Sequence, residues 1–338
     1  EAFILKKISW GVLSTAGIAQ KEVLPAFKRA TNAEVTAIAS SSGIEKAEEV
    51  AKRFAIEKVY DSYEKLLQDP DIEAVYIPLP NFLHKEWVIK AAEAGKHVLC
   101  EKPAAINAAE FKEMKAACKK HNVLFMEAFM YYFHPQHERV IEIVDSGEIG
   151  KVTYIQAGFT FFLEPERREN SIKMSEEKGG GSIFDVGCYP IHAIRNILRE
   201  EPKTVEVKAV LDEKHHVDTD AVGYLTFPSG VRATFDCSFN LDMRNEYRLF
   251  GTKGKITVPR AFRPDHHGGE GQIIIEKAYE TRIETLNSDQ YRLEVEHISQ
   301  AIIDRKNELK HTTENTYHNM RVIEACYESI RSGKTISL

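Results

Sequence analysis

The sequence predicts an α/β protein made of an N-terminal doubly wound parallel sheet and a C-terminal α+β domain with a large, open, mostly antiparallel sheet. Short apolar segments alternate with helical patterns through the first 128 residues, as in βαβ units. Longer segments of alternating polar and apolar residues follow with few helices between them, which is typical of antiparallel sheets with one covered face. We therefore expect one domain over 1–128 and another over 129–338.

The composition limits the classes of protein to consider. A chain of 338 residues with 43% hydrophobic and 28% charged residues is expected to be globular. A net charge of −6 with dispersed basic residues argues against nucleic acid and anionic membranes as partners. No apolar run reaches the ~20 residues that cross a bilayer, and no signal-peptide pattern begins the sequence. The five cysteines form no CxxC pair, so we expect reduced thiols in the cytoplasm.

The first predicted strand, Ile8–Leu13, leads into a turn of small residues. Ser14, Ala16 and Ala19 repeat the spacing of a dinucleotide-binding turn, where small residues allow the backbone to approach a pyrophosphate. An ordinary βα turn has a similar composition, and both interpretations stay open here. Pro25 is expected to kink the following helix or to start a second one.

Three serines end the second predicted strand, Glu34–Ala39. NAD-preferring sites usually place an acid here to hold the ribose hydroxyls. Ser40–Ser42 offer neutral hydrogen bonds instead and Lys46 adds positive charge nearby, which favours NADP, with NAD possible. As an alternative role, Ser42 could cap a helix over Ile44–Phe54.

The third predicted strand, Asp71–Ile77, is followed by a turn that ends at Asn81. Asn81 is expected to cap the next helix, and Gly95 to end it. His84 lies on the first turn of that helix, near the edge of the sheet where ligands bind. A surface or capping histidine is the alternative to a cofactor contact.

Glu101-Lys102-Pro103 follows the buried strand predicted for Gly95–Cys100. A lysine just past a parallel strand lies at the carboxyl edge of the sheet, and desolvation can lower its pKa until it serves as a proton donor or base. Pro103 biases Lys102 toward an extended backbone. A surface lysine after a strand is the alternative.

The other predicted elements follow the same patterns. A helix capped by Asn107 and a strand over Val123–Glu127 complete the first sheet. The second domain is predicted to hold helices near Pro135–Asp145, Asp289–Arg305 and Thr316–Arg331, and strands over Val152–Phe162, Val205–Leu211, Ala221–Phe227, Val231–Phe239, Tyr247–Phe250 and Gln272–Glu276.

A glycine-rich segment, Gly179–His192, stands out in the second domain. Its three glycines allow the backbone to approach a neighbouring group closely. In a helix from residue 185, Asp185, Tyr189 and His192 would share one face, and an acid, a phenol and an imidazole together suit acid/base catalysis. The structural alternative is an acid that complements the helix dipole and a tyrosine in the core.

These motifs occur in order along one chain, which resembles the Gfo/Idh/MocA oxidoreductases. The resemblance is strongest to the branch of dihydrodiol dehydrogenase, D-xylose dehydrogenase and glucose–fructose oxidoreductase, and it runs nearly end to end. It implies a Rossmann domain over 1–128, a substrate-binding and oligomerisation domain over 129–338, and a nicotinamide between them. The matching motifs are the Ser14–Ala19 turn, Pro80-Asn81 with His84, Glu101-Lys102-Pro103, Glu127–Tyr131 with Phe133-His134-Pro135, and Asp185-x-Gly187-x-Tyr189.

The resemblance also implies roles for single residues. Lys102 matches the catalytic lysine, Tyr189 a proton donor or acceptor, and Asp185 a carboxylate that orients substrate. Many relatives have arginine at the positions of Ser41 and Tyr132. The expected cofactor-binding residues are Thr15, Ala16, Gly17, Ile18, Ser40, Ser41, Leu79, Pro80, Asn81, His84, Glu101 and Lys102.

On the substrate side, the resemblance adds His192 to Asp185 and Tyr189. Tyr131, Phe161 and Arg168 offer aromatic and charged groups that suit a sugar or cyclic diol, although Phe161 could equally belong to the core or to an oligomer interface. No metal is expected, because the paired histidines in polar loops lack further ligands.

The expected reaction is hydride transfer between nicotinamide and a hydroxyl or carbonyl carbon of a sugar, cyclitol or trans-diol. Tyr189 or Lys102 would move the hydroxyl proton. The alternatives are a non-catalytic regulator that binds a nicotinamide dinucleotide and an NAD-assisted glycoside hydrolase. A homodimer or homotetramer through the C-terminal sheet is expected from the resemblance.

Overall fold

The structure, a computed structural model, describes residues 6–338, and its first sheet is wholly parallel. The spatial order of the six strands in the described residues is β3-β2-β1-β4-β5-β6. The order reverses between β1 and β4, and open α/β sheets bind ligands at the carboxyl ends of strands flanking such a point. The strands are β1 Ile8–Leu13, β2 Ala33–Ala39, β3 Lys58–Tyr60, β4 Ala74–Ile77, β5 His97–Cys100 and β6 Phe125–Glu127.

Helices connect these strands: α1 Leu24–Arg29, α2 Ile44–Phe54, α3 Tyr63–Leu67, α4 Asn81–Glu93 and α5 Ala108–Lys120. A π-helical turn, Ala19–Val23, precedes α1, and Pro25 lies at the start of α1, where its missing N–H costs nothing. Asn107 caps α5 as predicted, since its side chain accepts the N–H of Glu110 at 2.8 Å. Gly95 ends α4 with a φ of +75°, also as predicted.

Three local predictions in this part are wrong. Ser42 does not cap α2, because the N-cap residue is Gly43 with a φ of +119°. Asn81 is the first residue of α4 rather than its cap. The short strand β3 was not predicted, since its three half-buried residues show no alternation.

The second sheet has nine strands in the described residues, in the order β14-β13-β12-β11-β7-β10-β9-β8-β15. Its pairs are antiparallel except for β7 with β10. The unpredicted strands β12, β14 and β15 are either very short or alternate half-buried with exposed residues. The strands are β7 Val152–Phe162, β8 Thr204–Leu211, β9 Asp218–Thr226, β10 Arg232–Ser238, β11 Asn240–Gly251, β12 Lys255–Val258, β13 Glu270–Lys277, β14 Glu280–Asn287 and β15 Ile336–Ser337.

The remaining helices are α6 Gln136–Asp145, α7 Pro165–Arg168, α8 Cys188–Leu198, α9 Gln290–Asp304 and α10 Thr313–Ser332. Helix α8 packs on β7 and β10 and is buried along almost its whole length, because its sequence is apolar all round. None of the helices in the described part of the chain is both long and apolar enough to span a bilayer.

The chain forms two compact units. The first comprises the residues up to Phe133 together with Asp289–Tyr317, and the second comprises His134–Ser288 and His318–Leu338. The sequence placed one boundary at 128/129, and that division differs because α9 returns to the first unit. Trp10 of β1 donates its indole N–H to the Ser299 hydroxyl of α9 at 3.1 Å. The predicted second domain therefore contains a segment that completes the parallel sheet unit.

Candidate active site

The turn after β1 has the backbone geometry that small residues permit. Ser14 adopts a φ of +130°, and its hydroxyl oxygen accepts the N–H of Ala16 at 3.0 Å. Ala19 is fully buried against the sheet. Gly17 is exposed, and a Cβ atom at this position would meet nothing within 4 Å. Thr15, Ala16, Gly17 and Ile18 thus form an open surface at the carboxyl end of β1, where Rossmann folds place a pyrophosphate.

The serines after β2 divide into one buried and two exposed residues. Ser40 is buried, and its hydroxyl oxygen accepts the N–H of Ser42 at 3.2 Å. Ser41 donates its hydroxyl to the phenol oxygen of Tyr63 at 3.2 Å. Ser40 therefore shapes the turn, whereas Ser41 and Ser42 present hydroxyls at the sheet edge.

His84 occupies a different place from the one expected of a cofactor contact. It is fully buried, with Nε2 2.7 Å from the Leu79 carbonyl and Nδ1 3.0 Å from the Pro103 carbonyl. Burial lowers the pKa of His84 although these carbonyls act in the opposite direction. Because both ring nitrogens already face protein carbonyls, we assign His84 the role of joining the connections that follow β4 and β5.

The segment after β5 carries the predicted catalytic lysine on a backbone held from several sides. Lys102 is half-buried, and the Lys102–Pro103 peptide is cis. The buried Glu127, at the end of β6, accepts the N–H of Ala104 through Oε1 at 2.8 Å. Together with the His84 contact, this bond fixes the backbone directly after Lys102.

Glu101 is also oriented by a buried partner. The Tyr76 hydroxyl donates to Glu101 Oε1 at 2.6 Å. Burial and the neighbouring Glu101 carboxylate raise the pKa of Tyr76 well above its ordinary value, so that the phenol stays protonated. Sequence reasoning missed Tyr76 and Glu127 as partners, although both stand on predicted buried strands.

Tyr131 lies in a short 3₁₀ segment, Met130–Phe133, of the first unit. It is 1% exposed, and its ring packs edge-on to that of Phe129 with 6.2 Å between centroids. Lys310 places its ammonium 4.9 Å from the ring centroid of Tyr132. The residue predicted to bind substrate is thus a packed member of an aromatic cluster.

The Asp185–Tyr189 segment is helical, but its first part is not α-helical. A π-helical turn spans Ile183–Gly187, and α8 begins only at Cys188. Pro190 has no N–H to donate to the carbonyl four residues earlier, which favours the wider turn. The predicted i, i+4, i+7 stacking of Asp185, Tyr189 and His192 assumed one α-helix, and that assumption is wrong because Asp185 lies inside the π turn.

The side chains of this segment have distinct surroundings. Tyr189 is buried between Phe159 and Phe262, with ring centroids 5.1 and 5.5 Å away. His192 is fully buried. Asp185 forms an ion pair with Lys173, 2.6 Å between Nζ and Oδ2. The Lys173 ammonium also lies 5.4 Å from the ring centroid of Phe161.

Arg168 does not lie beside Asp185 in the way that its assignment to the substrate suggested. Its guanidinium donates to the carbonyls of Leu163 and Phe239 and to the amide oxygen of Asn240, at 2.6 to 3.1 Å. Lys173 is the cation that pairs with Asp185, and sequence reasoning missed it because it lies in an irregular segment.

The glycines explain how that segment is held. The N–H groups of Gly180 and Gly181 donate to the carbonyls of Ser175 and Lys173, each at 2.8 Å. A Cβ at Gly180 would approach the Lys173 carbonyl oxygen to 2.6 Å. The close approach predicted for these glycines is therefore to the backbone of the Lys173 segment.

A parallel sheet in the order 3-2-1-4-5-6, an open turn after its first strand and a held lysine after its fifth define a dinucleotide-binding enzyme of the Rossmann class. Family comparison agrees: the model described as "Oxidoreductase family, NAD-binding Rossmann fold" matches residues 8–129, and the one described as "GFO/IDH/MocA C-terminal domain" matches 137–257. The chain belongs to the Gfo/Idh/MocA oxidoreductase family.

Individual relatives extend over the whole chain. It is 37% identical to a D-xylose 1-dehydrogenase (NADP(+)) 2 of Haloferax volcanii, over 97% of this chain and 99% of that protein. A solved 3-ketoreductase from Actinomadura kijaniata, in complex with NADP and TDP-benzene, is 30% identical with a TM-score of 0.90 over 96% of this chain and 98% of that one. An aldose-aldose oxidoreductase from Caulobacter crescentus, complexed with glycerol, is 26% identical with a TM-score of 0.90 over 98% and 100%.

Proposed function

We propose that this chain is an NADP-dependent oxidoreductase that transfers hydride between nicotinamide and a hydroxyl or carbonyl carbon of a sugar or related polyol. The observation that carries the proposal is the placement of Lys102 at the carboxyl end of β5, directly before a backbone segment held by Glu127 and His84. A lysine that is fixed at the ligand-binding edge of a Rossmann sheet is suited to proton transfer beside a bound cofactor. End-to-end similarity to an NADP-dependent xylose dehydrogenase supports the same reaction.

The residues of the first unit account for the choice of cofactor. The turn at Thr15–Ile18 offers exposed backbone for a pyrophosphate, and Asn81 begins α4 at the same edge of the sheet. After β2, Ser41 and Ser42 present hydroxyls where NAD-preferring sites have a carboxylate, so a 2′-phosphate meets no repulsion from residues 40–43. The solved relative's NADP complex agrees with this preference.

The chemistry divides between the cofactor and the side chains. Bound NADP supplies the hydride acceptor or donor. Lys102 and Tyr189 handle the proton of the reacting hydroxyl, and Asp185, oriented by Lys173, accepts a hydrogen bond from a second hydroxyl of the substrate. Solved structures of the A. kijaniata 3-ketoreductase include variants at a lysine and at a tyrosine, the two residue types assigned to proton transfer here.

A substrate panel tests the proposal. Aldoses, inositols and trans-diols are each incubated with NADP⁺ or NAD⁺ while the absorbance of the reduced cofactor is followed. We expect turnover of at least one sugar or diol, with the larger kcat/KM for NADP⁺. Turnover with NAD⁺ alone would overturn the assignment of Ser41 and Ser42, and an absence of reduction across the panel in both directions would overturn the function.

The second sheet supports a proposal about assembly. Val222 and Ile283 stand on its uncovered face and are 58% and 59% exposed, and Tyr224 is also exposed. Apolar side chains exposed together on a sheet are typical of a protein interface. We propose a homodimer or homotetramer through this face. A monomer at micromolar concentration in sedimentation equilibrium would contradict it.

The cysteines support a proposal about location. All five lie in the described part of the chain, and each is buried with its thiol unoxidised. Burial raises the pKa of the Cys100 and Cys237 thiols well above the ordinary value, which keeps them unreactive. We propose a cytoplasmic enzyme, in keeping with the reducing conditions that such thiols require.

A further inference from the structure

A buried carboxylate, Asp218, lies at the start of β9 and is 1% exposed. Its Oδ2 accepts the hydroxyl of Ser182 at 2.8 Å and the backbone N–H of Ile183 at 2.7 Å. Its Oδ1 accepts the Tyr327 hydroxyl at 2.8 Å. Burial raises the pKa of Asp218, and the three donors act in the opposite direction by favouring the carboxylate.

The bonded residues stand directly before the segment that carries the proposed chemistry. Ile183 is the first residue of the π-helical turn that contains Asp185, and Tyr189 follows in the first turn of α8. The N–H of Ile183 is one of those that a helix start leaves without an intrahelical acceptor. Asp218 supplies that acceptor from a different element and so sets where the helix begins.

The surroundings leave little room for this carboxylate to move. Gly181 has a φ of +109°, and a Cβ there would approach Asp218 Oδ1 to 2.2 Å. The ring of Tyr327 stacks on that of Phe184, 5.2 Å between centroids and 25° between planes. Tyr327 therefore touches the same turn twice, through its hydroxyl by way of Asp218 and through its ring.

We propose that Asp218, braced by Tyr327, is a positioning residue that holds the π-helical turn and thereby sets the orientation of Asp185 and Tyr189 for hydride transfer. The proposal rests on the proposed function for its catalytic consequence. Asp218 touches neither substrate nor cofactor in this account. Its effect is expected in kcat and in the sugar KM, and the KM for NADP⁺ is expected to stay close to that of the wild type because the dinucleotide residues belong to the other unit.

Four variants of the full chain test the assignment. Asp218→Ala removes all three acceptor interactions, and Asp218→Asn keeps one oxygen for Ile183 and Ser182 while offering an amide to Tyr327. Tyr327→Phe removes one donor and keeps the stacked ring. Asp220→Asn is the matched control, since its carboxylate lies two residues further along β9 and accepts from Ser238 and Asn240 instead.

Two readouts separate the possible outcomes. Hydrogen exchange followed by mass spectrometry needs no substrate, and we expect faster exchange in peptides covering 181–189 for Asp218→Ala, with 152–162 unchanged. In turnover, we expect kcat to fall ~10-fold or more in Asp218→Ala and ~3-fold in Tyr327→Phe, with substantial rescue in Asp218→Asn and no change in Asp220→Asn.

The same measurements define what overturns the proposal. Unchanged exchange over 181–189, or faster exchange with unchanged kcat in an active wild-type background, removes the positioning role. If Asp218→Ala does not fold, Tyr327→Phe decides, and wild-type kcat together with wild-type exchange in that variant refutes the role. A wild-type protein without turnover would instead refute the proposed function, and the exchange comparison would still test the anchor.

Discussion

Replacing Glu127 tests how far the proposed Lys102 chemistry depends on a held backbone. Glu127→Gln keeps an oxygen for the N–H of Ala104 but turns a charge-assisted hydrogen bond into a neutral one. Such bonds contribute about 1.5–3 and about 0.5–1.5 kcal/mol respectively, so the expected loss of unfolding free energy is about 1 kcal/mol. Glu127→Ala leaves the fully buried Ala104 N–H without an acceptor and opens a cavity, a loss of about 3–5 kcal/mol.

The catalytic consequence follows from the position of that bond two residues after Lys102. If the weakened bond lets the segment leave its productive position, up to about 1 kcal/mol appears in the barrier, and kcat falls ~3- to 5-fold in Glu127→Gln. The assay pairs urea unfolding with steady-state turnover of the best sugar from the panel.

Glu73→Gln is the matched control for this experiment. Glu73 also accepts a backbone N–H, that of Ser9 at 3.1 Å, but at the amino end of the sheet. We expect its kcat to equal that of the wild type. Wild-type kcat in a folded Glu127→Gln, or equal losses in both variants, would refute the reasoning.

Three further predictions follow from single contacts. Gly17→Ala is expected to leave the melting temperature within about 1 °C, because its Cβ meets no protein atom, and to raise the KM for NADP⁺ ~10-fold, because the methyl group occupies the space proposed for the pyrophosphate; an unchanged KM would contradict that placement. Lys173→Met is expected to lower kcat/KM for the sugar ~10-fold with NADP⁺ kinetics unchanged, since Asp185 loses its ion-pair partner, whereas Lys178→Met in the same segment is expected to be neutral. The lowered pKa of His84 implies stability that is fully present above pH ~6.5 and is lost toward acid, because the unfolded chain takes up a proton that the folded site resists; the unfolding free energy of wild type relative to His84→Gln is therefore expected to shrink by up to about 1.4 kcal/mol between pH 6.5 and 5.5, and a constant difference in urea titrations would count against it.

Much of the fold follows from local patterns. The parallel sheet was predictable because most of its strands are buried apolar runs bounded by capping and turn residues, as at Asn107 and Gly95. The strands that sequence reasoning missed, such as β3 and β14, are short or polar and are defined by their neighbours in the sheet rather than by their own periodicity.

The proposed site could be predicted only in part, for a related physical reason. Lys102, Asp185 and Tyr189 lie in short motifs whose chemistry is visible in the sequence. Their supporting contacts join residues far apart in the chain: 12 residues separate Lys173 from Asp185, 23 separate Ala104 from Glu127, and 35 separate Ile183 from Asp218. No local periodicity encodes such pairs. The π turn was equally invisible, since Pro190 was its one local signal.

The central claim is that Lys102 and Tyr189 move the proton that accompanies hydride transfer. Steady-state turnover of Lys102→Ala and Tyr189→Phe, with NADP⁺ and the best sugar of the panel, tests it most directly. We expect each variant to lose ~10²-fold or more in kcat, the contribution of a positioned acid or base. Near-normal turnover in both variants would contradict the claim.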